Sequence, residues 1–371
     1  MNDDDLARRR ARQLKGLLEK VRANTAFDYS RLRIAALPRC RSSMAYFELG
    51  DPQGTPLLCL HGLSVSGYYF QPLHEHFASR GIRAVAPNLL GGVSLQEPER
   101  TVEDLADELI ELMDVLGIPR CDLLGFSWGT LPQLALLART PQRVRKTAFL
   151  GPMLPLRFLQ PQELAQIKPD VRLSLRLVKS APLLHRALMW SVCRLPVTVL
   201  MRQFVDEHLA GAERNALQSG SAFHQRFVDC IHECIRTTSG FFTSGWRMFL
   251  DEPDYTLADL SGVAEHVDVR FYVGEHDNVH LPAVAQRLAA ACAADGVWLA
   301  DRAHSNNLQA QERCAAAGVF HRTVASGGVS IWMTPGAGRM ACMLYLKEAL
   351  DHWICAPSRA AAGGSSRLAS G

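Results

Sequence analysis

Leu123-Leu124-Gly125-Phe126-Ser127-Trp128-Gly129-Thr130 joins two segments of different period. The apolar run from Cys121 to Leu124 has the length of a short buried strand, and Leu131-Pro132-Gln133-Leu134-Ala135-Leu136-Leu137-Ala138-Arg139 reads as a helix. Between them stands Gly125-x-Ser127-x-Gly129. A strand that turns sharply at a serine into a helix leaves the hydroxyl exposed at the carboxyl end of a sheet, the arrangement of a nucleophile elbow. The glycines have a physical reason: strand and helix pass so closely that a Cβ on either flank would collide, and the serine itself is held in a strained backbone conformation. Gly-x-Ser-x-Gly alone occurs often by chance; the strand before it and the helix after it give it weight.

Around this turn, 371 residues of which 48% are hydrophobic can bury a full core, and the length suits one catalytic domain carrying an insertion. The balance of 40 basic against 37 acidic residues, with no basic stripe interleaved with aromatics, argues against nucleic acid as a partner. The start, Met1-Asn2-Asp3-Asp4-Asp5, is acidic and no apolar run follows it, and no stretch of about 18 apolar residues occurs, so a soluble, cytoplasmic protein without a membrane span is expected. The ten cysteines show no C-x-x-C pair or regular framework and read as reduced thiols.

Residues 3 to 24 set Leu6, Leu14, Leu17, Leu18 and Val21 among seven Arg and Lys residues, a basic amphipathic helix that either packs on the body or touches a membrane surface. Strand patterns then run over Met44 to Leu49, Pro56 to Leu60 and Ile82 to Pro87. The second leads into His61-Gly62-Leu63, a loop whose backbone can approach the serine; the amides of Leu63 and Trp128 are the expected oxyanion donors, and His61 reads as a structural histidine holding the loop. Thr101-Val102-Glu103-Asp104 has the form of a capping box opening a helix to Leu116. A strand at Lys146 to Gly151 continues the alternation, which predicts a mostly parallel sheet covered on both faces. From 152 to 259 the strand pattern gives way to Pro-punctuated helices rich in Leu, Met, Phe and Trp, expected to form a cap whose Phe242 and Trp246 line an apolar pocket. Strand pattern returns at Val267 to Val273, ahead of Gly274-Glu275-His276-Asp277, and residues 357–371 are expected to be a disordered tail.

With His61-Gly62, Pro87 followed by Gly91, Gly92 and Ser94, the serine turn, and Gly274-x-x-Asp277, the chain from Met44 to Trp353 resembles the α/β-hydrolase superfamily, in its cap-bearing single-domain branch. The resemblance implies an eight-strand doubly wound sheet with a helical cap, and a catalytic triad in the order Ser, Asp, His. On that reading residues 1–43 are a helical extension, 44–151 and 260–356 the core, and 152–259 the cap. Asn88 stands where relatives carry Asp, and Thr130 where a small residue is usual.

The histidine is the larger departure. Gly296 to Ser305 reads as strand, loop and His304; Gly328 to Met340 reads as strand, loop and Arg339, closer to the family's last strand but with arginine, which stays protonated and cannot be a general base. His280 lies one turn from Asp277 and reads as too near to reach the serine while held by that carboxylate, and His321 and His352 fall in expected helices. His304 is therefore the expected base. The expectation is a serine hydrolase acting on an ester or thioester of an apolar small molecule, with Ser127 as nucleophile, His304 as base, Asp277 as orienting acid and no metal or cofactor. Two alternatives stay open: a ligand-binding protein with the triad broken at Arg339, and an acyltransferase using the same triad. Oligomeric state is not legible.

Overall fold

The computed structural model describes residues 3–24, 27–95, 99–196, 199–200, 222–237, 240–277, 279–293, 321–326, 329–334 and 346–354. Its centre is one nine-stranded sheet: β1 (Leu32–Leu37), β2 (Ser42–Gly50), β3 (Thr55–Leu60), β4 (Ile82–Pro87), β5 (Cys121–Phe126), β6 (Val144–Leu150), β7 (Asp268–Gly274), β8 (His321–Ser326) and β9 (Val329–Thr334). The spatial order is β1-β2-β4-β3-β5-β6-β7-β9-β8. The strands from β4 to β9 in that order pair in parallel, while β1, β2 and β8 join antiparallel at the edges.

The parallel strands β3 to β7 are apolar toward their carboxyl ends, as burial on both faces requires, and carry charged residues such as Asp122, Arg145, Lys146, Asp268 and Arg270 near their starts. Leu123 and Phe149 face one core, beneath helices α3 (Val102–Val115) and α4 (Thr130–Arg139); Leu124, Ala148 and Leu150 face the other, beneath α1 (Asp3–Asn24) and α2 (His74–Ser79). The expected capping box starts α3, with the Thr101 and Asp104 side chains accepting each other's backbone N–H at 3.1 and 2.9 Å. The apolar stripe of α1 is used inside the protein: Ala7, Leu14, Leu18 and Val21 are buried, and the helix packs on β1 and β2.

Between β6 and β7 the chain forms α5 (Pro161–Gln166), α6 (Pro169–Ser180), α7 (Pro182–Val192), α8 (Ala222–Thr237) and α9 (Phe241–Leu250). Polar ties dock this segment on the loops and helices around the sheet: Trp128 Nε1 donates to the Gly245 carbonyl at 2.9 Å, buried Glu163 pairs with Arg287 at 2.5 Å, and buried Glu233 accepts from Ser66 and Tyr29. The short helix α10 (Val263–His266) precedes β7, α11 (Pro282–Cys292) follows it, and α12 (Leu346–Ile354) lies past β9. No described helix is long and apolar enough to cross a membrane.

Three expectations need correction. The described sheet has nine strands, not eight, because Leu32–Leu37 pairs with β2 along its whole length and belongs to the sheet rather than to the N-terminal extension. Its Ala35-Ala36 breaks the alternation that marks a half-buried strand. His321 opens β8 instead of lying in a helix, because the segment pairs antiparallel with β9.

Candidate active site

Ser127 follows the last residue of β5 with φ +52°, one of two non-glycine residues with positive φ among those described. The left-handed region costs a side-chain-bearing residue roughly 1 kcal/mol or more and persists where the surroundings enforce it. Those surroundings are close: a Cβ on Gly125 would stand 1.9 Å from Gln133 Oε1, and one on Gly129 2.6 Å from the carbonyl oxygens of Leu60 and His61. The turn is locked from behind by Thr130, whose Oγ1 donates to the Ser127 carbonyl at 2.6 Å and accepts the Met153 N–H at 2.9 Å. The hydroxyl at the unusual Thr130 position thus joins the elbow to the segment after β6.

Ser127 Oγ lies 2.8 Å from His280 Nε2, and His280 Nδ1 lies 2.8 Å from Asp277 Oδ2. The expectation that His280 is too near Asp277 to bridge is thereby corrected. The other oxygen of the same carboxylate, Oδ1, accepts the N–H groups of Val279 and His280 at 2.9 and 2.8 Å, which folds Asp277 to His280 into a tight turn. In that turn the imidazole points one nitrogen back at the acid and the other outward at the serine. Pro282 then opens α11, so the turn ends two residues after His280. Burial alone would push the Asp277 carboxyl up, but the charge of His280 and the hydrogen bonds from His280 and Val279 outweigh it and hold Asp277 below its ordinary value. Gly151 backs the ring: it has φ +56°, and a Cβ there would come within 2.9 Å of His280 Nδ1.

His304 and Arg339 both lie outside the described residues. The cue to His280 was present in the sequence as Asp277-x-x-His280 directly ahead of Leu281-Pro282, an Asx-type turn before a helix start.

His61 is buried and fully engaged. Its Nε2 accepts the Leu89 N–H at 2.9 Å, so Nδ1 carries the proton and donates to the Gly62 carbonyl at 2.8 Å. Burial, outweighing the Gly62 hydrogen bond, lowers its pKa to about 4. This neutral imidazole joins the loop after β3 to the loop after β4, where Asn88 Oδ1 accepts the Gly67 N–H at 2.9 Å. A Cβ on Gly62 would stand 3.4 Å from Ser127 Cβ, so the His61-Gly62-Leu63 backbone runs against the serine.

A cavity of ≈ 60 Å³ opens beside the site, its walls including Met153, Leu159, Trp246, Phe249, Val279 and Leu281. Of these wall residues, Met153 has its Sδ 3.8 Å from Ser127 Oγ and Val279 adjoins His280 in the chain, so the cavity lies next to the Ser127–His280 pair. Its lining is apolar apart from Gln166 and Lys168. Of the two expected pocket residues Trp246 is in the wall, whereas Phe242 packs on Phe241 at 4.2 Å and is absent from it. Among the described residues no group of three His, Cys, Asp or Glu side chains is arranged to hold a metal ion.

A profile of the alpha/beta hydrolase fold matches residues 55–309, more than half of the chain. The chain belongs to the α/β-hydrolase family. Within that family, an uncharacterized carboxylesterase of Bacillus subtilis is 32% identical over 106 residues, covering 28% of this chain and 35% of the relative. A haloalkane dehalogenase of Mesorhizobium japonicum is 34% identical over 116 residues, covering 31% and 37%. The chain thus spans about a third of the length of these curated relatives. Among solved structures, a thermophilic esterase from Thermogutta terrifontis superposes with TM-score 0.54 at 15% identity over 84% of this chain and 94% of its own. A hydrolase from Pseudomonas aeruginosa reaches 0.56 at 16% identity over 88% and 99%. At such identities these likenesses concern the fold.

Proposed function

We propose that this α/β-hydrolase is a serine hydrolase that cleaves a carboxylic ester or thioester of an apolar small molecule, with Ser127, His280 and Asp277 as its triad. The observation that carries the reading is the unbroken chain of two 2.8 Å contacts from Ser127 Oγ through both ring nitrogens of His280 to Asp277. His280 Nε2 takes the hydroxyl proton as Ser127 Oγ bonds to the acyl carbon, then gives it to the departing alkoxide or thiolate. Water, deprotonated by the same nitrogen, attacks the acyl-serine and returns free acid. Asp277, held anionic, accepts from Nδ1 and stabilises the transient imidazolium. The amides of Leu63 and Trp128 are assigned to the oxyanion, supported by the approach of the Gly62 backbone to Ser127.

Chemistry separates this from the dehalogenase type among the relatives. A serine attacking an alkyl halide would leave an ether, which water does not cleave, whereas attack on a carboxyl group leaves an ester that the same triad can hydrolyse. The ligand-binding alternative rested on Arg339 standing in place of the base; a histidine bridging Ser127 and Asp277 supports the catalytic reading over it. The helical segment 152–259 is assigned to substrate choice through its share of the cavity wall.

The test pairs fluorophosphonate labelling with turnover of a short activated ester. Wild type should label and Ser127→Ala should not. His280→Ala should lose on the order of a thousandfold or more in turnover, while His304→Ala stays near wild type. Near wild-type turnover in a folded His280→Ala protein would refute the triad.

A further inference from the structure

The outer face of α7 is exposed and apolar, and Leu173 on α6 and Leu195 just past α7 are exposed beside it in the chain. Leu173, Leu183, Leu184, Leu188, Trp190 and Leu195 are all open to solvent, Leu183 at 80% and Trp190 at 50%. These side chains follow from helix geometry: on α7 the positions facing the body are buried His185 and partly covered Met189 and Val192, one stripe at i, i+4 and i+7, which turns Leu183, Leu184, Leu188 and Trp190 outward. His185 is fixed in that inner position by its Nδ1, 2.9 Å from Thr243 Oγ1 on α9. Scattered single leucines on a surface need no explanation, but a group of large apolar side chains on adjoining helices does.

Charge states what this face meets. From 171 to 200 the chain carries Arg172, Arg176, Lys179, Arg186 and Arg194, all exposed, and no Asp or Glu. Asp170, in the first turn of α6, is the acid beside this stretch. The Arg194 guanidinium lies over the Trp190 ring, 3.2 Å from its centroid, which pairs a cation with an aromatic ring of the kind that seats at a headgroup boundary. An apolar surface set among cations of one sign suits an anionic bilayer, where acyl chains take the leucines and headgroups take the guanidinium and ammonium groups. The same helix supplies both environments: Val171 is in the cavity wall and Leu173 is on the exposed face.

We infer that the α6–α7 face of the cap is a peripheral docking site for an anionic lipid surface. The apolar stripe of α1 is buried against β1 and β2, so the site lies on the cap and not on the N-terminal helix.

The experiment uses the full chain with sonicated vesicles of phosphatidylcholine alone or of phosphatidylcholine containing phosphatidylglycerol. Wild type should sediment with the anionic vesicles, less so as salt rises, and Trp190 emission should shift to the blue; Trp190→Phe should remove that shift and retain sedimentation. Leu183→Glu/Leu184→Glu, at positions already in solvent, should weaken binding at least about tenfold, and neutralising Arg176 or Arg186 to Gln about fivefold each. Hydrolysis of a short soluble ester should be unchanged in these variants, so loss of docking and loss of the proposed catalysis are read separately. The proposal falls if wild type stays in the supernatant with anionic vesicles, or if the Leu183→Glu/Leu184→Glu protein sediments as wild type does. It falls equally if sizing shows that those substitutions split a dimer while vesicles bind neither form, which would give the face to a second copy of the chain.

Discussion

At the scale of single residues, the site depends on positions where a side chain is excluded. Gly151 is the least obvious of them. Its φ of +56° and the 2.9 Å separation between a Cβ built there and His280 Nδ1 mean that alanine meets both a backbone strain and a ring that has nowhere to retreat while bonded to Asp277. Gly151→Ala should therefore cost about 1 kcal/mol in stability and lower kcat/KM on a short ester by roughly ten- to a hundredfold, with slower fluorophosphonate labelling of Ser127. Unaltered labelling with the expected loss of stability would show that His280 has no tight seat. Thr130 works the other way: its hydroxyl is needed, since it bonds both the Ser127 carbonyl and the Met153 N–H.

Between elements, two contacts separate chemistry from docking of the helical segment between β6 and β7. Trp246 on α9 lies in the cavity wall, as does Met153. Trp246→Ala should shift the preferred acyl chain toward longer or bulkier groups while turnover of a small activated ester stays within a few-fold of wild type, as measured over an ester-length panel; a collapse on the small ester would place α9 in the catalytic machinery. The second contact is Glu233 on α8, which accepts from Ser66 Oγ at 2.5 Å and the Tyr29 hydroxyl at 3.0 Å. Burial, only partly offset by those two hydrogen bonds, pushes its carboxyl up to about 7 from an ordinary 4.5. An acid raised in this way holds more protons folded than unfolded between those values, so it costs stability as pH rises from about 4.5 through about 7. Glu233→Gln cannot ionise and keeps oxygen and nitrogen partners for both hydroxyls. Its stability relative to wild type should rise across that window by on the order of 2–4 kcal/mol and level off above it, read from denaturant midpoints at several pH values. A difference that does not change with pH would mean Glu233 titrates normally.

Over the whole molecule, the sheet has two cores, and α1 closes the one away from α3 and α4. Leu14 is 1% exposed and packs in that core with residues of β1 and β2. Leu14→Ala should destabilise the protein by about 2–4 kcal/mol without changing the specific activity of the folded fraction, since Leu14 has no part in the proposed triad, which lies at the carboxyl ends of β5 and β7. A loss within about 0.5 kcal/mol, the range of ordinary surface changes, would mean that α1 is dispensable to the body.

The sequence by itself determined the strand-turn-helix at Ser127, the parallel order implied by strand and helix alternation, the Thr101 capping box, the structural role of His61 and the helical segment between β6 and β7. All are local: each depends on periodicity, on glycine at a close approach, or on a residue and its neighbours a few positions away. Tertiary structure decided the partner of Ser127. His280 is three residues from Asp277 and 153 from Ser127, and spacing along the chain makes it look committed to the acid alone; the Asp277 turn instead uses one carboxylate oxygen for the backbone and the other for Nδ1, leaving Nε2 to point across the ends of β5 and β7. Strands β1 and β8 were hidden for a related reason. An edge strand is defined by the neighbour it pairs with, and neither Leu32–Leu37 nor His321–Ser326 carries a periodic pattern strong enough to declare that pairing in advance.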